Sequence, residues 1–453
     1  MASKFNPLRQ KSLLKGLNLS LAGARTGGAL LVDKALNKVV PGRDHNPLLA
    51  QEARKLVARL GQMKGTYVKV GQMLALVGEY VLPAELTDAL RELESATEAL
   101  PWVQVEAILR ERLGADFDLL EIEPEPIGVA SLAQVHRARV RETGESICLK
   151  FLYPGIRESI DHDFEAVTGM LKLTRWLKTS RSYEEWIGQF KQQLLCEVDY
   201  DREMAMTEKV ASLLAGDDRF LVPAIVRRFC RQDLIAMEYL QGETVTSAAV
   251  AELSQARRDR LGSAMLDLLF KEIFDWQLLQ SDPNMGNYRI AIGEDQDRLV
   301  LLDFGSMLDV GPSFFEPLGE TILGAQQRDA ARVVSGLMAL DCLRPESSEC
   351  ACDTFVHFCV EIMEPMRHPE QLPEHLLNEQ GHYRWAESKL MKRAAVTVGR
   401  SATHSGFELP SEHFSLVSRK LIGVFTFITL LRSEFNGWPL LQAYTSEASF
   451  SPA

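Results

Sequence analysis

In Ser281-Asp282-Pro283-Asn284-Met285-Gly286-Asn287 an aspartate precedes an asparagine by five positions. Sixteen residues after Asn287 stands Asp303, within Leu301-Leu302-Asp303-Phe304-Gly305. Asn287 and Asp303 offer the hard oxygen donors that Mg²⁺ prefers, and an ion held there can bridge phosphate oxygens and neutralise the charge that develops on them. Asp282 is spaced to orient or deprotonate an attacking hydroxyl or water. The chemistry to which these residues point is Mg²⁺-dependent attack on a phosphoryl group.

Four further elements precede them in an order that matches a protein kinase. Gly128-Val129-Ala130-Ser131-Leu132-Ala133 sits where a kinase keeps its phosphate loop, and Lys150 follows Ala133 by seventeen residues at the end of an apolar strand. Glu197-Val198-Asp199-Tyr200-Asp201-Arg202-Glu203 reads as an acidic helix with Asp199 and Glu203 on one face. Glu203 is the natural partner for Lys150, which would pair with the α and β phosphates of ATP. Met237-Glu238-Tyr239-Leu240 reads as a strand entering a turn, where backbone groups at Glu238 and Leu240 would bind adenine. Each motif alone is commonplace; six in this order are specific.

The elements that must position these residues follow from the pattern of the chain. Residues 1–47 form a basic amphipathic arm, and 48–105 a helical extension carrying the stripe Tyr67, Val70, Leu74 and Val77. From 106 to 242 the texture is that of a small antiparallel sheet, with helices inserted at about 155–195 and strands expected near Leu221–Val226 and Leu234–Leu240. From 243 to 453 long amphipathic patterns predict a mainly helical lobe. The expected class is α+β, a two-lobed kinase-like fold.

The set of motifs resembles the UbiB family of atypical kinases, especially its mitochondrial coenzyme-Q subgroup and bacterial relatives. Lys69-Val70-Gly71-Gln72 matches the family's K-x-G-Q motif, and Glu197-Val198-Asp199 its E-x-D motif. Gly128-Val129-Ala130-Ser131 stands for its alanine-rich loop, with Gly128 and Val129 replacing two alanines. The resemblance implies that the helical extension packs over the active-site cleft, with Lys69 and Gln72 near the nucleotide and Lys69 touching the carboxylates of Glu197 and Asp199. Such a cover would hinder a protein substrate in trans. It further implies ATP and Mg²⁺ as cofactors, ATP hydrolysis as the activity, and prenyl lipid or lipid-biosynthesis proteins as partners in ubiquinone or related pathways. The extra glycine predicts a looser phosphate loop than the family's. A small-molecule or lipid kinase and a non-catalytic nucleotide-sensing scaffold are the alternatives, and retention of Asp282, Asn287 and Asp303 weighs against the scaffold.

A formal net charge of -12 excludes a general attraction to nucleic acid. The first 43 residues reverse the balance, with eight basic residues against the single acid Asp33. Leu13, Leu14, Leu17 and Leu21 fall on one helical face with Lys11 and Lys15 beside it, which suits an anionic membrane surface. The expected location is peripheral, on the cytoplasmic side of an inner membrane in a bacterium or the matrix side in a mitochondrion. Seven irregularly spaced cysteines read as structural thiols in a reducing compartment. The longest apolar run, Leu421–Leu431, is closed by Lys420 and Arg432 and reads as a buried helix, too short to span a bilayer.

Overall fold

The computed structural model describes Lys55, residues 99–173, Gly188, 191–192, 194–282, 284–394 and 411–445. The basic arm, Lys69, Gln72, nearly all of the expected helical extension and most of the inserted segment beyond 173 lie outside the described residues. In chain order the strands are β1 (Leu120–Val129), β2 (Ala133–Val140), β3 (Ser146–Leu152), β4 (Phe220–Leu221), β5 (Leu234–Glu238), β6 (Leu279–Gln280), β7 (Tyr288–Ala291), β8 (Arg298–Leu301) and β9 (Met307–Leu308). The principal helices are α1 (Trp102–Leu113), α2 (Ile156–Leu173), α3 (Tyr200–Leu213), α4 (Gln255–Phe270), α5 (Pro312–Gln327), α6 (Ala330–Ala339), α7 (Glu349–Ile362), α8 (Glu412–Leu430) and α9 (Trp438–Thr445). The chain divides into two compact units, Met1–Met204 with Ile225–Tyr239, and Ala205–Ala224 with Leu240–Ala453.

The first unit is built on an antiparallel sheet in the order β1-β2-β3-β5. Alternation along β3 sends Ile147, Leu149 and Phe151 into the core, because successive strand residues point to opposite faces. Val105, Leu109 and Leu113 recur every four residues on α1 and join the same core, so α1 covers that face. Each such fully buried aliphatic side chain contributes roughly 1.5–3 kcal/mol. The β2–β3 connection turns at Gly144, whose φ of +77° a side chain would strain. β1 lies at the sheet edge, where Pro124, Pro126 and exposed Glu121, Glu123 and Glu125 oppose pairing with a further strand.

The strand expected over Leu221–Val226 is not formed as such. Only Phe220–Leu221 is strand, and it pairs in parallel with β8 in the second unit. Pro223 has no N–H to donate to a ladder, and Val226 instead donates one hydrogen bond to Ala236 O at 2.8 Å.

In the second unit α4 buries an unbroken run from Ala264 to Phe270 and packs against α8, whose Phe425, Phe427 and Ile428 are fully enclosed. Contrary to the expectation of helix broken only by polar motifs, two small sheets occur here, β4-β8-β7 and β6-β9. Their strands are two to four residues long, too short to display a period of two, and exist because a distant partner pairs with them. Beyond α7 three 3₁₀ turns replace the expected helix, each containing or following Pro365, Pro369 or Pro373. Among the described residues one helix, over His413–Leu430, is long and apolar enough to cross a membrane, and 56% of that window is buried within the protein.

All seven cysteines are free thiols. Burial pushes the Cys148 and Cys359 thiols up to about 12, which makes them poor nucleophiles and fits the structural role expected of them.

Candidate active site

In the first unit the alternation that buries Leu149 and Phe151 turns Lys150 to the opposite face of β3. Its Nζ donates to Glu203 Oε1 at 2.5 Å across 53 residues of chain, and Glu203 is only 2% exposed. The buried ring of Tyr200 lies 5.5 Å from the same ammonium. Both Tyr200 and Glu203 belong to the first turn of α3, so the start of that helix decides where the acid stands.

That start is set by Asp199, which departs from the sequence expectation of one continuous acidic helix. Glu197 ends the preceding helical segment, Val198 turns, and Asp199 caps α3 by accepting the Arg202 N–H at 3.1 Å. Aspartate is among the best N-caps, and its short carboxylate competes for backbone N–H groups, so the helix breaks where the motif lies. Arg157 holds the break by donating to Val198 O at 2.5 Å and Gln232 O at 3.2 Å. Glu197 and Asp199 therefore flank a turn, and Glu203, one turn further on, carries the carboxylate that meets Lys150.

The phosphate-loop sequence joins β1 to β2. Ala130 N donates to Ala133 O at 2.8 Å, which closes a turn holding the buried Ser131 and Leu132, while Val129 is half-exposed. Gly128 does not use the freedom expected of it. It pairs with Val135 in the ladder, its φ is not positive, and an added Cβ would meet only Val135 Cβ and Cγ2 at 3.6 Å, an ordinary contact. Gly128→Ala should leave stability unchanged or raise it by about 0.4–1 kcal/mol through the stiffer unfolded chain. Denaturant unfolding checks this, and a loss above about 1 kcal/mol would show that the loop needs glycine.

Glu238 ends β5 opposite Ile147, and Tyr239 N donates to Ser146 O at 3.0 Å while its ring stacks under Arg137 at 4.4 Å. The boundary between the units falls between Tyr239 and Leu240.

In the second unit the remaining residues converge. Asn287 Nδ2 donates to Asp282 Oδ2 at 2.9 Å, and Leu302 N donates to Asn287 O at 2.9 Å, which sets Asp303 one residue from the asparagine across the β7–β8 hairpin. With Nδ2 committed to Asp282, the Asn287 amide presents Oδ1 as its acceptor. The Asp303 carboxylate is oriented by Gly305 N at 2.9 Å. Asn284 folds the loop by accepting from Gly286 N at 2.8 Å. Ser281, whose residue type alone signals no function, fastens the loop twice to Ser306 O, through N and through Oγ, each at 2.8 Å.

Among the described residues no group of three His, Cys, Asp or Glu could hold a metal by itself. The donor set of one carboxylate and one amide oxygen still fits Mg²⁺, which is commonly held by one or two protein oxygens with phosphate and water completing the octahedron.

The ABC1 atypical kinase-like domain matches residues 92–337. This chain belongs to that family. The ABC1 relatives include the mitochondrial atypical kinase COQ8 of Schizosaccharomyces pombe, 28% identical over 327 residues, covering 71% of this chain and 53% of that protein. Mitochondrial COQ8B of Rattus norvegicus is 27% identical over 383 residues, covering 84% and 69%. An uncharacterised Synechocystis protein is 26% identical over 302 residues, covering 65% and 50%. The chain thus spans about half to two thirds of the length of these relatives. A Mycobacterium tuberculosis protein solved with erythromycin, Rv3197, superposes with a TM-score of 0.57 at 21% identity, over 89% of this chain and 98% of that one. The UbiB resemblance and the kinase-like α+β fold are borne out, with the helical extension outside the described residues.

Proposed function

We propose that this ABC1 chain is a Mg²⁺-dependent ATPase of kinase-like fold that supports ubiquinone or another prenyl-lipid pathway at a membrane surface. The observation that carries the reading is the 2.5 Å pair between Lys150 and Glu203, formed across an inserted helical segment that an unrelated fold would have no reason to span. Glu203 holds the ammonium where it can pair with phosphates, and the turn at Ala130–Ala133 supplies the loop beside β2. In the second unit Asp282 orients or deprotonates the attacking water, with its carboxylate fixed by the Asn287 amide. Asn287 and Asp303 would hold Mg²⁺, which neutralises charge on the phosphates. Lys69, Gln72, Glu197 and Asp199 are assigned to regulation by the resemblance, as a cover that keeps protein substrates out.

The pathway rests on relatives named as COQ8 kinases, and the membrane on the basic arm with its leucine face. γ-Labelled ATP supplied to the full chain should release label as inorganic phosphate. Label in an organic-extractable or small-molecule product would establish the lipid or small-molecule kinase instead. Nucleotide binding without turnover would leave a scaffold. A strain lacking the gene should show a depleted quinone pool, and an unchanged prenyl-lipid profile would remove the pathway.

A further inference from the structure

Lys420 bounds an apolar run in the sequence and would be expected at a helix surface. It is instead 1% exposed, in the middle of α8. An ammonium taken out of water costs several kcal/mol unless its donors are satisfied, and a leucine or methionine in its place would cost nothing of that kind. Its three protons each find an acceptor. Nζ lies 3.0 and 3.1 Å from the two Glu272 oxygens, 3.4 Å from Gln280 Oε1 and 3.2 Å from Tyr288 Oη. Tyr288 Oη in turn donates to Gln280 Oε1 at 3.2 Å. Burial would lower the Lys420 pKa, but the Glu272 carboxylate and the Tyr288 oxygen outweigh it and hold the lysine charged.

The acid comes from an irregular element. α4 ends in a π-helical turn over Lys271–Asp275, where the wider turn redirects Glu272 into the core, and such bulges recur beside functional sites. The two neutral partners have particular positions in the chain. Gln280 is followed by Ser281 and Asp282, and Tyr288 immediately follows Asn287. The seven residues between them are the loop that carries Asp282 and Asn287. Tyr288 is also packed edge-on against Phe427 of α8 at 5.9 Å.

We propose that Lys420 is a positioning residue for the catalytic loop: anchored on Glu272, its ammonium ties Gln280 and Tyr288 together and so fixes the spacing between Asp282 and Asn287. A network that only filled the core would have no reason to join the two ends of this loop through one cation. The proposal rests on the phosphoryl chemistry assigned to Asp282 and Asn287.

Two variants of the full chain test it. Lys420→Met with Glu272→Met removes both buried charges together, which such sites tolerate, whereas removing one strands the other. Tyr288→Phe deletes one hydroxyl and keeps the ring on Phe427. Both should lower kcat for ATP hydrolysis by about tenfold or more, since small displacements of positioned groups are costly, while KM for ATP moves less than about twofold. Amide hydrogen exchange should accelerate over residues 279–288 and not elsewhere. Wild-type kcat and wild-type loop exchange in both variants would overturn the proposal, as would exchange raised throughout residues 255–445, which marks a general packing role. If the unaltered chain hydrolyses no ATP, the activity reading fails, and loop exchange still decides whether Lys420 positions the loop.

Discussion

Asp303→Asn should remove the Mg²⁺-dependent part of the stabilisation that ATP confers. Asparagine keeps an oxygen to accept the Gly305 N–H that Asp303 now takes at 2.9 Å, so the local turn survives. What it loses is the negative charge, and with it most of the affinity for a divalent ion shared with phosphate. A ligand that binds only the native state stabilises it by RT ln(1 + [L]/Kd), about 2.7 kcal/mol at a hundredfold excess over Kd. Thermal unfolding with ATP, with and without Mg²⁺, should show a shift of several degrees for the wild type and none that depends on metal for the variant. An equal metal-dependent shift in both would place the ion elsewhere.

The Lys150–Glu203 pair separates stability from function. Glu203→Gln removes the negative charge from a largely buried pair, whose lysine side chain is 18% and glutamate side chain 3% exposed, and breaking a buried pair in this way costs about 3–5 kcal/mol. Replacing both residues by methionine removes both charges and should recover most of that loss, because paired buried charges contribute little net stability. Nucleotide affinity should not recover, since no cation then meets the phosphates. Calorimetric titration of the double variant with Mg·ATP checks this, and wild-type affinity would show that Lys150 serves only the fold.

How much of the site is legible in the sequence depends on the range of the contacts. The Asp282 to Asn287 spacing and the Asp303-Phe304-Gly305 turn are local, and the bonds that shape them join residues two to five apart, so the motif carries its own geometry. The Lys150–Glu203 contact spans 53 residues, and it is legible only through the order of motifs along the chain. The break at Val198 is missed because helical periodicity says nothing of where a capping side chain takes over, although Asp199 is itself the cue.

By itself, the sequence determined the kinase-like succession of motifs and the apolar strand that carries Lys150, because these follow from residue spacing and strand composition, whereas α1 runs on to Leu113 through residues whose texture predicts sheet from 106. The tertiary structure alone decided the short strands β4 and β6–β9, the ordinary backbone of Gly128 and the burial of Lys420. A two-residue strand has no pattern of its own and exists through its partner. A lysine at the edge of an apolar run is assigned to solvent until Glu272, Gln280 and Tyr288, more than 130 residues away, supply the acceptors that let its charge stay inside.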